Sequence, residues 1–301
     1  MQKIQSQRRN FIARIFLSPD ELRLRAGWRL FGHFALLFPV SFIIAYPLDW
    51  LSKITSDSVS ITNELLLITL SIYIARRLLD RRSFSSLGLK WDSLAMRDML
   101  IGIGITAPMM GLIFISELAF GWIHFEGFAW EQISLFEIIG ALGSWALIFI
   151  FVGWYEELRS RGYHLQNLAE GLNIPWAVFI SSSLFALLHM FNPHASWIST
   201  LGILEAGFFL AFAYLRTKQL WLSIGLHIGW NFFEGPVFGF PVSGMDTFQL
   251  LVQNTKGPEI ITGGEFGPEA GLILLPALGL GAFLISKYTH LRINYLSGVK
   301  N

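Results

Sequence analysis

Cysteine is absent from the 301-residue sequence. The chain therefore has no disulfide, no thiolate nucleophile and no cysteine-based metal site. Charge is also scarce, because charged residues make up 14% of the chain, whereas a typical soluble domain carries about 25%. Hydrophobic residues make up 53%, and the mean hydropathy is +0.52. This composition predicts an integral membrane protein, and the net charge of +1 gives no reason to expect a nucleic-acid partner.

The signatures of three kinds of hydrolytic site are missing as well. No histidine is followed by glutamate, so there is no zinc-binding His-Glu-x-x-His helix. No Gly-x-Ser sequence supports a serine nucleophile, and no Gly-x-Gly-Asp sequence supports an aspartyl pair. A hydrolytic site in this chain therefore has to use other residues.

Long apolar segments are what the chain has in abundance. About 20 apolar residues in a helix cross a bilayer core of about 30 Å, and eight segments approach this length. They cover residues 30–48, 60–76, 98–116, 134–155, 174–191, 197–215, 219–234 and 270–287. The predicted fold class is all-α, a polytopic bundle of about eight transmembrane helices. The pattern does not reveal how the glycine-rich loop 235–269 folds.

The basic residues predict the topology of these eight segments. Cytoplasmic loops of membrane proteins carry an excess of lysine and arginine. With the N-terminus in the cytoplasm, all of the 22 basic residues except Lys53 and Lys256 fall on the cytoplasmic side. We therefore predict that both termini are cytoplasmic.

Six polar residues stand out in or beside the apolar segments, where ionisable side chains are rare and usually functional. They are Glu156, Glu157 and Arg161 after the fourth segment, His189 in the fifth, and His227 and Asn231 in the seventh. A spacing of four places Glu157 and Arg161 on one helix face. The same spacing places His227 and Asn231 on one face of another helix.

Distances along the helices predict that these residues meet. Glu156 and His189 lie equally far from a turn near residues 172–173, about 25 Å along each helix. His227 lies about 13 Å inside its own turn. All three therefore reach one depth in the cytoplasmic half of the membrane if the hairpin between the fourth and fifth segments projects about 10 Å into the cytoplasm. Glu205 in the sixth segment lies about 18 Å from its turn, which brings it near the depth of His227.

Each of these residues alone also fits a structural role, as an interhelical hydrogen bond or a buried ion pair. The agreement of three depths favours one functional site instead. A buried glutamate can act as a general base on water, and histidine and asparagine can stabilise an oxyanion. The residue types therefore suggest hydrolysis of a peptide bond.

Three motifs follow one another on three helices: Glu156-Glu157-x-x-x-Arg161, Phe185-x-x-x-His189 and His227-x-x-x-Asn231. In this order they resemble the motifs of the CPBP family, the CAAX-prenyl-endopeptidase-like and bacteriocin-processing membrane proteases also called Abi. The stretches RSFSSLGL and WNFFEGPVFGFPVSG are similar to its bacterial branch. The resemblance covers residues 80–270. Each motif is weak alone, whereas the ordered set is specific.

The resemblance implies an intramembrane endopeptidase, a hydrolase with an active-site cavity within the membrane, in the plasma membrane of a bacterium. Glu156 would activate water with help from His189. His227 and Asn231 would form the oxyanion site, while Glu157 and Arg161 would orient Glu156. The expected domains are a basic cytoplasmic arm (1–29), two helices with a basic loop (30–97), the catalytic membrane domain (98–288) and a cytoplasmic tail (289–301).

Three alternatives stay open at this point. Glu156, His189 and His227 also form the ligand set of a zinc protease, and members of this family are often labelled metalloproteases. We favour a metal-free mechanism, because no helix presents two ligands at the usual zinc spacing. A non-catalytic immunity or scaffold protein and a proton-relaying transporter are the others. The expected partners are the lipid bilayer and a membrane-associated peptide or protein substrate.

Overall fold

The computed structural model describes residues 11–18, 21, 23–52 and 58–298. Five basic residues used in the topology prediction lie outside this part of the chain: Lys3, Arg8, Arg9, Lys53 and Lys300. The helices are α1 (Phe11–Phe16), α2 (Ala26–Ser52), α3 (Ser58–Leu78), α4 (Ser93–Ala119), α5 (Leu135–Glu157), α6 (Leu165–Gly171), α7 (Ile174–Leu188), α8 (Trp197–Thr217), α9 (Trp221–Phe232), α10 (Glu259–Thr262) and α11 (Leu274–Gly298). A π-helical segment, Leu158–His164, joins α5 to α6.

Each of the eight predicted segments coincides with a helix. However, the helices differ in whether they are long and apolar enough to cross a bilayer. Within the described residues, five are long and apolar enough: Ala26–Ile44, Ser93–Ala119, Leu135–Gly171, Ile174–Phe191 and Trp197–Thr217. The helix α9 has 12 residues, which span about 18 Å against a core of about 30 Å. The helical membrane bundle is therefore confirmed, and a count of eight crossings stays a prediction.

Local capping signals set the ends of the helices that carry the polar residues. Ser134 and Glu137 form a capping box at the start of α5, which satisfies backbone N–H groups in the first turn. The Asn173 side chain accepts a hydrogen bond from the backbone N–H of Trp176 at 3.0 Å, and Pro175 lies in the first turn of α7. The turn predicted near residues 172–173 is therefore present where α6 ends and α7 begins.

The short helix α9 lies at the centre of the bundle. Every residue from Trp221 to Asn231 is buried. Its glycines allow close contact with α4, because a Cβ atom on Gly225 would lie 2.1 Å from the carbonyl oxygen of Met99. Small residues let membrane helices approach at backbone distance. This contact fixes the position of α9 and of the polar side chains on it.

A two-stranded antiparallel sheet lies in the loops, and the all-α prediction did not include it. Its strands are β1 (Ile123–Phe128) and β2 (Leu251–Thr255), with an irregularity between Phe125 and Gly127. The two strands come from loops far apart in the sequence, so neither short segment forms a hairpin that a local pattern would reveal. The pairing ties the glycine-rich loop 235–269 to the end of α4.

Candidate active site

Glu156 lies in the last turn of α5 and has a relative exposure of 9%. Its Oε2 atom is 3.8 Å from Nε2 of His189 and 3.8 Å from Nε2 of His227. Within the described part of the chain, this oxygen accepts no hydrogen bond. The structure thus brings together the three side chains that the depth estimate placed at one level.

The two histidines are held through their Nδ1 atoms. His189 immediately follows α7, and its Nδ1 is 2.9 Å from the carbonyl oxygen of Phe185. Nδ1 of His227 is 2.9 Å from Oε1 of Glu157. Since a carbonyl and a carboxylate oxygen only accept, both Nδ1 atoms carry the proton in these bonds. Both Nε2 atoms are therefore directed at Glu156.

Glu157 and Arg161 form a buried ion pair behind the histidines. Nη1 of Arg161 donates to Oε1 of Glu157 at 2.7 Å, and Nη2 donates to the carbonyl oxygen of Gly207 at 3.0 Å. The guanidinium also lies over the ring of Phe185, 4.5 Å from its centroid, a favourable cation–π geometry. Arg161 therefore connects the π-helical segment with α7 and α8. Through the shared Glu157 oxygen it also supports the orientation of His227.

Asn231 lies on α9 one turn beyond His227 and lines the same cavity. The cavity has a volume of about 720 Å³, within the usual range of about 300–1,000 Å³ for ligand sites. Apolar side chains make up most of its wall, including Phe149 on α5 and Phe209 on α8. Glu156, His189, His227 and Asn231 all face this one space.

Glu205 takes a different position from these four residues. It is half-buried on α8, but it does not line the cavity, whereas its neighbours Ile203 and Ala206 do. The predicted depth of Glu205 along α8 was close to that of His227. However, Glu205 is not on the side of α8 that lines the cavity. The structure gives no support to a role for Glu205 in this site.

Sequence reasoning missed several polar side chains of the cavity. Glu269, from the glycine-rich loop, lines it and accepts hydrogen bonds from Nε1 of Trp230 and from the hydroxyl of Ser243. Arg159, in the π-helical segment, lines it as well. Trp230 and Ser243 are part of the stretch that resembles the family, but nothing in the local pattern points them or Glu269 toward Glu156.

The donor atoms of the site can be compared with the ligand types and the interatomic distances of a zinc site. Two imidazole nitrogens and a carboxylate are zinc ligands by type, and the anchored Nδ1 atoms resemble the outer contacts of metal-bound histidines. The separations of 3.8 Å exceed the distance of about 3.4 Å expected between tetrahedral ligands with bonds of about 2.1 Å. Among the described residues, no group of three or more His, Cys, Asp or Glu side chains has the geometry of a metal site.

Comparison with known proteins agrees with the motifs. Residues 139–233 match the family model described as type II CAAX prenyl endopeptidase, Rce1-like, and this range contains all six predicted site residues. Searches among curated proteins and among solved structures return no significant match. With the apolar helices, the match supports an integral membrane protein of a protease family. The resemblance to the CAAX-protease family is therefore confirmed by the match of residues 139–233 to its Rce1-like family model.

Proposed function

We propose that this protein is an intramembrane endopeptidase in which Glu156 activates a water molecule. The observation that carries the proposal is the convergence of Oε2 of Glu156 with Nε2 of both His189 and His227 in one largely apolar cavity. A separation of 3.8 Å is too long for a direct hydrogen bond, and one water molecule can contact both groups across it. The substrate is a peptide bond of a membrane-associated peptide or protein.

The proposed reaction starts with the transfer of a proton from water to the Glu156 carboxylate. The water oxygen forms a bond to the carbonyl carbon of the substrate, and a tetrahedral oxyanion results. Glu156 then gives its proton to the leaving nitrogen as the carbon–nitrogen bond breaks. The products are a carboxylic acid and an amine, and Glu156 returns to its carboxylate form.

The two histidines are proposed to have different roles, because their Nδ1 atoms have different partners. The Glu157 carboxylate stabilises a positive charge on His227, so that Nε2 of His227 carries a proton and donates to the oxyanion. The Asn231 amide is the second donor. Nδ1 of His189 donates to the carbonyl oxygen of Phe185, and this bond directs Nε2 toward the attacking water, from which it accepts a hydrogen bond.

The substitution Glu156→Gln tests this proposal directly. The amide has nearly the shape of the carboxylate but does not accept the proton, so peptide cleavage should fall about 10²–10⁴-fold with little change in melting temperature. The matched control is Glu205→Gln, since Glu205 lies outside the cavity lining. Cleavage by Glu156→Gln within a factor of a few of the native rate would exclude Glu156 as the base.

A zinc-dependent version of the same protease is the second candidate, favoured by the anchored Nδ1 atoms of both histidines. Glu156, His189 and His227 would be the ligands. A bound zinc ion lowers the pKa of its water and polarises a carbonyl group. The 3.8 Å separations lead us to prefer the metal-free reaction.

A further inference from the structure

A second pocket, here called the arm pocket, lies outside the candidate active site. It has a volume of about 710 Å³ and is bounded by the described residues between Ser18 and Arg25, the first turns of α2 and the end of α6. Its charged lining residues in the described part of the chain are Arg23, Arg25, Arg29, Arg82, Glu21 and Glu170. Four guanidinium groups face two carboxylates, so this lining carries a surplus of two positive charges.

Glu170 holds three of these arginines in place. Its Oε2 atom accepts hydrogen bonds from Nη2 of Arg29 at 2.7 Å and from Nη2 of Arg23 at 2.9 Å. Its Oε1 atom accepts from Nη1 of Arg82 at 2.6 Å. The guanidinium groups are therefore fixed before any ligand binds, which reduces the entropy that binding would cost.

Donor capacity is left over in this cluster. Arg23 is buried, and its Nη1 atom makes no hydrogen bond to any described residue. Arg25 donates through Nε to the carbonyl oxygen of Leu17, and its side chain makes no ion pair with the described residues. Buried donors are nearly always hydrogen-bonded, and arginine pairs well with the oxygens of phosphate. Nη1 of the buried Arg23, which lacks a partner among the described residues, and the exposed guanidinium of Arg25 in the same pocket indicate an anionic ligand.

An apolar surface continues from the arm pocket along α2. Phe31 lines the pocket and is 65% exposed. Phe34, Phe38 and Phe42 follow at helical spacing and are exposed as well. The residues from Ala26 to Ile44 form a candidate membrane span, so the pocket lies where the span begins. Trp28 at this level, whose ring is 4.7 Å from that of Phe16, is typical of the membrane interface.

We propose that the arm pocket binds the phosphate group of an anionic phospholipid. Arg23 and Arg25 donate to the phosphate oxygens, and the acyl chains lie against the exposed phenylalanines of α2. The predicted topology places the pocket on the cytoplasmic side, where basic pockets between membrane helices meet anionic headgroups. The charge surplus selects a net negative lipid over a zwitterionic one.

The test uses the purified full-length protein in a neutral detergent. Its melting temperature is measured against increasing dihexanoyl-phosphatidylglycerol, dihexanoyl-phosphatidylcholine, glycerophosphoglycerol and inorganic phosphate, and bound lipid is counted by native mass spectrometry. A ligand of the folded state raises the melting temperature, and we expect this for phosphatidylglycerol alone. Arg25→Gln should weaken its binding at least about fivefold, because one basic residue near anionic lipid contributes about 1 kcal/mol.

Two further variants complete the experiment. Lys218→Gln removes one exposed charge on the same predicted side and should bind the lipid as the native protein does. Arg23→Gln should weaken binding as well; if it also destabilises the lipid-free protein, Arg25→Gln still gives a readable result. Equal stabilisation by phosphatidylcholine, or native binding by Arg25→Gln, would overturn the proposal. Equal stabilisation by phosphate or by glycerophosphoglycerol would identify a simple anion site and would also overturn it.

Discussion

At the residue scale, Asn231 lies one helical turn beyond His227 on the same wall of the cavity. Its amide is a hydrogen-bond donor, and asparagine is seldom a zinc ligand. Asn231 therefore separates the two candidate mechanisms, because only an oxyanion role requires it. This distinction between the two mechanisms depends on the side-chain amide of Asn231 and not on the charge of any neighbouring group.

We predict that Asn231→Ala lowers the turnover of a cleavable peptide about 10²–10³-fold, the usual cost of removing one oxyanion donor. A chelator should have little effect, and the purified protein should contain far less than one metal ion per chain by elemental analysis. Asn254→Ala, an exposed change on β2, is the control and should be fully active. An active Asn231→Ala protein together with an enzyme that a chelator inactivates would establish the zinc mechanism instead.

Arg161 illustrates how one buried side chain supports the whole site. It contacts the Glu157 carboxylate, the Gly207 carbonyl and the Phe185 ring at once. Removal of one partner of a buried pair leaves the other charge without compensation. Glu157 is fully buried, so bulk water does not reach its carboxylate, and of the partners named here only His227 remains.

We predict that Arg161→Ala lowers the free energy of unfolding by about 3–5 kcal/mol. Cleavage should fall as well, because the Glu157 carboxylate that orients His227 loses its arginine anchor. The comparison is Lys90→Ala, which breaks a surface ion pair with Asp92, and surface pairs contribute little. Thermal melting of both variants measures the difference. Equal melting temperatures for Arg161→Ala and the native protein would mean that this ion pair does not stabilise the fold.

At the scale of the elements, the contact between α4 and α9 positions His227 and Asn231. Gly225 faces the backbone of α4. Because α9 has 12 residues and is too short to span the membrane core, its position depends on this contact. The π-helical segment after Glu157 acts in a similar way on the other side, because it directs Arg161 toward α7 and α8. Such π-helical turns are frequent at functional sites.

We predict that Gly225→Ala destabilises the protein by about 1–3 kcal/mol, the usual cost of overpacking, and reduces cleavage strongly. The added Cβ atom meets the carbonyl oxygen of Met99 at 2.1 Å, so α9 has to move away from α4. Gly104→Ala on α4 is a matched control, because nothing lies within 4 Å of its Cβ position, and alanine favours the helix. Native cleavage by Gly225→Ala would show that the position of α9 tolerates such a shift.

At the scale of the whole molecule, the orientation in the membrane depends on all helices together. Among the helices of the described residues, five are apolar and long enough to cross, and the eight-span prediction adds α3, α9 and α11. One crossing more or fewer would exchange the sides of every later loop. The exposed ends of the helices provide positions where the side can be measured.

We predict that a cysteine replacing Leu172 or Lys218 reacts with a membrane-impermeant thiol reagent only from the cytoplasmic side. A cysteine replacing Lys256 should react only from the other side. All three positions are exposed, and the native chain has no cysteine, so the background is free of label. Reaction of Leu172→Cys from the outside would overturn the eight-span topology.

Local sequence signals were sufficient to predict the membrane class, the positions of the helices, the turn before α7 and four polar residues that line the cavity, Glu156, His189, His227 and Asn231. These features depend on local properties: the length of apolar runs, capping residues such as Asn173, and the rise of a helix per residue. The rise alone placed Glu156 and His189 at one depth, and their atoms lie 3.8 Å apart.

The remaining features of the site depend on long-range packing. The partner of each histidine Nδ1, the direction of Glu205 away from the cavity lining and the entry of Glu269 into it depend on how helices rotate and how the loop 235–269 folds back. The pairing of β1 with β2 and the arm pocket have the same origin. Each joins residues far apart in the chain, whose contact has no periodic or compositional trace in either segment alone.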